Sequence, residues 1–161
     1  MRQHLSHDQV SRYIEATPEE LYDVVADVTR TPELTDDIVS CTWIGGSGPE
    51  VGARFHAINN GRGKPHWTNN PVVAVADRGR EFAFTRTEVF AGTVFWRYLF
   101  VPEGTGTRVT ESYVVVRPIT VVGWFVIGVL YGAKDRPTGL RASMAATLDR
   151  LAAVTATAPA V

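Results

Sequence analysis

Apolar positions along the chain keep two different periods. Over residues 38–116 they alternate with polar ones in short runs, and over residues 118–154 they recur at three- and four-residue steps. The first pattern predicts strands and the second predicts helix. Leu140, Met144, Leu148 and Leu151, with Thr147 and Val154 beside them, form one apolar stripe on the last helix. A stripe of that length needs a facing surface, and the strands between Val39 and Val116 are the ones long enough to supply it. The expected fold is therefore α+β: a curved antiparallel β-sheet wrapped around a long C-terminal α-helix.

In chain order, residues 9–16 alternate as a first strand, with Val10, Arg12, Ile14 and Ala16 on one side and Ser11, Tyr13 and Glu15 on the other; either side can face the core. Thr17-Pro18-Glu19-Glu20 then starts a helix, because threonine caps it, proline suits its first position and glutamate stands three residues after the cap. Leu21, Val24, Val25 and Val28 carry the buried stripe of this helix. Thr31-Pro32 either closes it or hands over to a second short helix around Glu33 and Leu34. Strands follow over residues 38–44, 51–59, 67–75, 81–87, 93–101 and 107–116, joined by short turns as one antiparallel meander. Pro71 interrupts the ladder of the 67–75 strand, which places that strand at an edge or bends it. Residues 118–133 form an apolar helical segment, broken near Gly132, and helix restarts around Asp135-Arg136-Pro137. The Ala/Thr-rich tail from Ala152 is expected to fray.

Composition narrows the function. The 161 residues suit one domain, 1–161, burying about 70% of the surface of the unfolded chain. A formal net charge of −1 leaves no basic footprint for nucleic acid, so DNA and RNA are excluded as partners. Cys41 is the one cysteine, a small apolar strand residue with no disulfide partner, and the first eight residues hold no apolar run that resembles a signal peptide; both fit a cytoplasmic location. Residues 118–133 carry no charge and include Trp124, Phe125, Ile127 and Leu130, but fall short of the ~20 apolar residues of a spanning helix. They read as a buried helix or an interfacial one, and the Gly128/Gly132 spacing as close packing on the sheet. The glycines at 45, 46 and 48 complete no dinucleotide-binding spacing, His56 and His66 have no second pair close enough for a metal site, and no Gly-x-Ser-x-Gly elbow is present. No cofactor is implied.

The element order resembles the START-like or SRPBCC superfamily with its helix-grip fold, and within it the polyketide cyclase/dehydrase and lipid-transport family. The residues that carry the likeness are Ile14, Ala16, Pro18, Glu20 and the stretch from Tyr22 to Asp27; Val51-Gly52-Ala53-Arg54-Phe55; Trp67; Arg80-Glu81-Phe82-Ala83-Phe84; Trp96-Arg97-Tyr98; and Gly106-Thr107-Arg108-Val109-Thr110-Glu111. The likeness spans nearly the whole chain. It implies two short helices between the first and second strands, and a function among cyclases and carriers of hydrophobic molecules; it marks the fold far better than the activity.

A bent sheet closed over a helix leaves a hollow wherever facing side chains do not fill it, and such pockets are mostly apolar with a few polar groups. One phase of the strands points Phe55, Trp67, Phe84, Trp96, Tyr98 and Tyr113 inward with Asn59, Asn69 and Glu111, and the terminal helix adds Met144. These are the candidate ligand-binding residues for a lipid, polyketide or isoprenoid, although aromatic strands also serve simply as core. Glu111 is the sharpest of them, since a carboxylate on a buried face must be paired, protonated or functional. Arg97 or Arg54 is its expected partner; left unpaired near Tyr98 or Tyr113, it becomes a candidate general base for ring closure of a poly-ketone. A third reading docks residues 121–130 on a membrane or in a homodimer, with Arg117, Lys134 and Arg136 as flanking contacts.

Overall fold

The protein is described by a computed structural model over residues 6–46, 48–88, 92–126, 129 and 136–157. Thr17 caps the first helix, α1 (Pro18–Ala26): its hydroxyl accepts from the Glu20 N–H, and the Glu20 carboxylate accepts from the Thr17 N–H at 2.9 Å. The box fixes the helix entry angle, so Leu21, Tyr22, Val24 and Val25 all turn inward. A single 3-10 turn, Val28–Arg30, then hands over to the short α2 (Thr31–Leu34).

The strands are β1 (His7–Ile14), β2 (Ile38–Ile44), β3 (Arg54–Asn59), β4 (Trp67–Asn69), β5 (Val72–Asp77), β6 (Glu81–Glu88), β7 (Gly92–Glu103) and β8 (Gly106–Arg117). They form one antiparallel sheet in the order β1-β8-β7-β6-β5-β3-β2, with β4 paired to β3. Register shifts at Ile38/Ser40, Val73/Val75 and Thr93/Val94 bend the sheet. In β1 the side carrying Val10 and Ile14 faces the core.

Two strands differ from expectation for reasons of backbone chemistry. β3 begins at Arg54 rather than at Val51, because Gly52 turns the chain at a φ of +88°. The 67–75 segment divides at Pro71 into β4 and β5. Proline has no N–H to give, yet its carbonyl still accepts from Phe55 N–H at 3.2 Å, so the chain bends there while staying alongside β3.

The short α3 (Val121–Val126) follows β8, and the long α4 (Arg136–Thr157) closes the molecule. On α4, Met144, Thr147, Leu148 and Leu151 are buried as the stripe predicts. Its tail stays helical through Thr157 instead of fraying, with the Thr155 hydroxyl donating to the Leu151 carbonyl at 2.9 Å. Arg12 of β1 meets Asp149 at 2.5 Å and Arg150 meets Asp36 at 2.8 Å; both pairs are exposed and orient α4 more than they stabilise it. Val121, Val122 and Phe125 of α3 are exposed, beside the exposed Arg117. The expectations placed on Ile127, Gly128, Leu130, Gly132, Lys134 and the Arg136 side chain lie outside the described residues. Among the described residues no helix is long and apolar enough to cross a membrane.

The core is lopsided. Leu148 and Leu151, in the second half of α4, join Ile14, Leu21, Phe82, Phe100 and Val109 in one packed cluster. The first half of α4 instead borders an open space with Gly139, Leu140, Ala142, Ser143, Ala146 and Thr147, and these mostly small side chains leave it unfilled.

Candidate functional site

Alternation along β6 puts Phe82, Phe84, Arg86 and Glu88 on one face. Cross-strand pairs carry that face onward, Phe84 opposite Trp96 and Phe82 opposite Tyr98, with Tyr98 in turn opposite Glu111 of β8. Between this surface and the first half of α4 lies a cavity of about 1260 Å³. Its aromatic wall is held edge to face: Phe55 and Phe84 have ring centroids 5.4 Å apart, and Trp43 supports Phe55 from behind at 5.7 Å.

One end of the wall holds Glu111. The Tyr98 hydroxyl donates to its Oε1 at 2.9 Å, whereas Oε2 has no partner and the residue is 4% exposed. Burial, only partly opposed by the Tyr98 hydrogen bond, pushes the Glu111 carboxyl up to about 8. Burial, reinforced by the Glu111 charge and hydrogen bond, also drives the Tyr98 phenol well above its ordinary value. Both shifts favour the protonated forms, which suits the pair to the role of an acid as well as to the base offered for Glu111. The expected arginine partners are elsewhere. Arg97 stands on the opposite face of β7 and donates to Glu81 at 2.6 Å, and Arg54 is exposed at the cavity rim.

The other end holds the Arg86–Glu88 ion pair and is well supplied with donors. Glu88 Oε1 accepts from Trp67 Nε1 at 3.2 Å, Asn69 Nδ2 at 3.0 Å, and Arg86 Nε and Nη2 at 2.9 and 2.5 Å. Burial pushes the Glu88 carboxyl up, but the Arg86 charge and these hydrogen bonds together outweigh it and hold the carboxyl below its usual range. Asn69 is 7% exposed and its Oδ1 has no partner. At the mouth, Asp37 accepts from the Ser143 hydroxyl of α4 at 2.5 Å and pairs with Arg62, joining the helix to the β3–β4 loop. Burial raises the Asp37 carboxyl, and the Ser143 and Arg62 contacts overcome this to lower it overall.

Of the residues expected inside, Phe55, Asn59, Trp67, Asn69, Phe84, Trp96, Tyr98 and Glu111 line the cavity, and Tyr113 and Met144 do not. Tyr113 is buried behind Trp96, ring centroids 5.4 Å apart. Met144 is buried and does not border the cavity, although Leu140 and Thr147 of the same stripe do. Sequence reasoning missed Arg86, which the alternation of Phe82 and Phe84 already places on the inner face, and Glu88, which needed that strand carried one residue further. It also missed Asp37 and the small face of α4. His56 Nδ1 pairs with Asn70 Oδ1 at 2.8 Å, and His66 Nδ1 accepts from the Gly61 N–H at 3.1 Å. Among the described residues no group of three His, Cys, Asp or Glu side chains is placed to hold a metal. Burial pushes the Cys41 thiol up to about 11, which leaves it protonated and unreactive.

Solved structures share this architecture at low identity. The di-domain ARO/CYC StfQ from the steffimycin biosynthetic pathway superposes with a TM-score of 0.75 at 12% identity, over 94% of this chain and 50% of that one. Protein CV1439 from Chromobacterium violaceum gives 0.70 at 14% identity, over 94% and 98% of the two chains. TTHA0849 from Thermus thermophilus gives 0.68 at 20% identity, over 96% and 99%. These likenesses establish the helix-grip fold. No curated protein matches the sequence. Residues 8–156, however, match the family described as polyketide cyclase / dehydrase and lipid transport, and the chain belongs to that family.

Proposed function

We propose that this protein binds a hydrophobic or aromatic small molecule, such as a lipid, polyketide or isoprenoid, between its sheet and α4. The observation that carries the reading is the unfilled space of about 1260 Å³, walled by Phe55, Phe84, Trp67, Trp96 and Tyr98. Ligand pockets generally occupy ~300–1,000 Å³. A volume just above that range accepts a long or polycyclic guest, and its aromatic wall favours a greasy or flat one. Native mass spectrometry of gently purified protein is expected to show a discrete adduct of small-molecule mass that organic solvent removes. A protein that stays empty after incubation with mixed apolar extracts would count against binding.

The Tyr98–Glu111 pair favours a second reading, cyclisation or dehydration of a poly-ketone. A protonated Glu111 inside an apolar cavity can polarise a carbonyl or protonate a leaving hydroxyl, with Tyr98 steadying the carboxylate that remains. On this reading Glu111→Gln lowers turnover of a poly-ketone substrate about a hundredfold or more while leaving substrate affinity largely intact. Unchanged turnover removes Glu111 from the chemistry.

A further inference from the structure

Two buried oxygens in the cavity residues have no hydrogen-bond partner, Glu111 Oε2 and Asn69 Oδ1. Native proteins keep few such atoms, and each costs ~1–3 kcal/mol. Their chemical characters are fixed by what their neighbours do. Tyr98 donates to Glu111 Oε1, so when the acid is protonated its proton sits on Oε2, which is then a donor. Asn69 Nδ2 donates to the Glu88 carboxylate, and a flipped amide would set oxygen against oxygen, so Asn69 Oδ1 is an acceptor.

The two atoms serve opposite ends of the space. Glu111 stands in the cross-strand row of Phe82 and Tyr98, whereas Asn69 holds Glu88, farther along β6. The stretch of β6 from Phe82 to Glu88 spans roughly 20 Å at the usual rise of a strand. Phe84, opposite Trp96, lies between them.

We propose that the cavity selects an elongated apolar molecule with a carbonyl-type acceptor at one end, received by Glu111, and a hydroxyl or amine donor at the other, received by Asn69. The proposal rests on the binding reading above and adds a direction to the guest. Each residue borders the cavity, but its orphan oxygen is shut off from solvent, so the guest has to draw it out by turning the side chain. The Glu111 end also carries a pH signature. Val10 faces it on β1 and Tyr98 on β7; Arg12 of β1 is turned out to Asp149 of α4. The charged cavity residues are Asp37, Arg54, Arg62, Lys64, Arg86 and Glu88, and burial with the Tyr98 hydrogen bond sets the Glu111 shift. Once deprotonated, its oxygen repels the carbonyl that the acid had bound.

The test is calorimetric titration of four compounds of equal chain length: a long-chain ω-hydroxy methyl ketone, the methyl ketone, the primary alcohol and the alkane. Variant-by-ligand cycles then isolate each contact. The ketone and hydroxyl groups are each expected to improve binding about tenfold in the wild type. Glu111→Leu removes the gain from the ketone and spares that from the hydroxyl; Asn69→Leu does the reverse. Glu111→Gln, whose amide still donates, keeps the ketone gain above pH 8, where the wild type loses it. Equal affinities for all four compounds, or both gains lost together in each variant, overturn the proposal while leaving apolar binding intact. Failure of even the alkane to bind overturns the binding reading itself.

Discussion

Replacing Glu111 by glutamine is expected to abolish a pH-dependent loss of stability on the order of 5 kcal/mol. In the folded protein burial lifts this carboxyl from 4.5 to about 8. Below pH 4.5 the folded and unfolded chains both keep the proton, and titration costs nothing. As pH rises towards 8, the unfolded chain releases the proton and gains solvation that the folded chain is denied, so stability falls by ~1.4 kcal/mol per pH unit. Above pH 8 the folded state ionises too and the loss stays at its full value. Glutamine does not titrate, and its carbonyl can still accept from Tyr98. Asp37 and Glu88 act in the opposite sense: their lowered values add stability above the ordinary carboxylate value, which disappears as pH falls through the folded ones. Both are present in wild type and variant, so they cancel in the comparison. Chemical denaturation of the two proteins at pH 4.5 and pH 8 is expected to show the variant gaining several kcal/mol relative to wild type between these values. Parallel pH profiles would mean that Glu111 is ionised or paired in the folded protein.

A residue expected to destabilise its own fold as pH rises, against total stabilities of ~5–15 kcal/mol, is poorly explained as scaffold. Its environment explains the cost. Tyr98 supplies a single hydrogen bond, and the second oxygen is left bare in an apolar wall.

The fold was largely legible in the chain because its signals are local. The capping box at Thr17, the strand alternation of Phe82 and Phe84, and the helical stripe through Leu148 and Leu151 each follow from neighbours a few residues apart. Two of the missed boundaries had local causes as well, a positive φ at Gly52 and the missing N–H of Pro71. The site was legible only in part. Alternation brings Phe55, Trp96, Tyr98 and Glu111 to one face, but it does not say which arginine reaches a given carboxylate. Register does: Tyr98 opposite Glu111 puts Arg97 on the far side of the sheet, where it meets Glu81. Met144 was misread because a stripe marks what α4 packs against and not what it leaves open. The open face mixes Leu140 and Thr147 of the stripe with small residues, Gly139, Ala142, Ser143 and Ala146, which the stripe does not mark.

That small face gives the most direct trial of the account. Ala146 lines the cavity and is exposed, so a bulky side chain there extends into space and not into packed core. Ala146→Trp is therefore expected to hold stability within ~0.5 kcal/mol of wild type. The indole takes up only part of the space of about 1260 Å³, but it stands between α4 and the aromatic wall, where a flat guest has to lie. The deciding measurement is a fluorescence titration with pyrene, a flat hydrocarbon suited to an aromatic wall. Saturable binding to the wild type, weakened about tenfold or more in a folded Ala146→Trp protein, is the predicted result. Wild type that does not take up pyrene, or a variant that binds it equally well, would contradict the claim that the space under α4 is a ligand site.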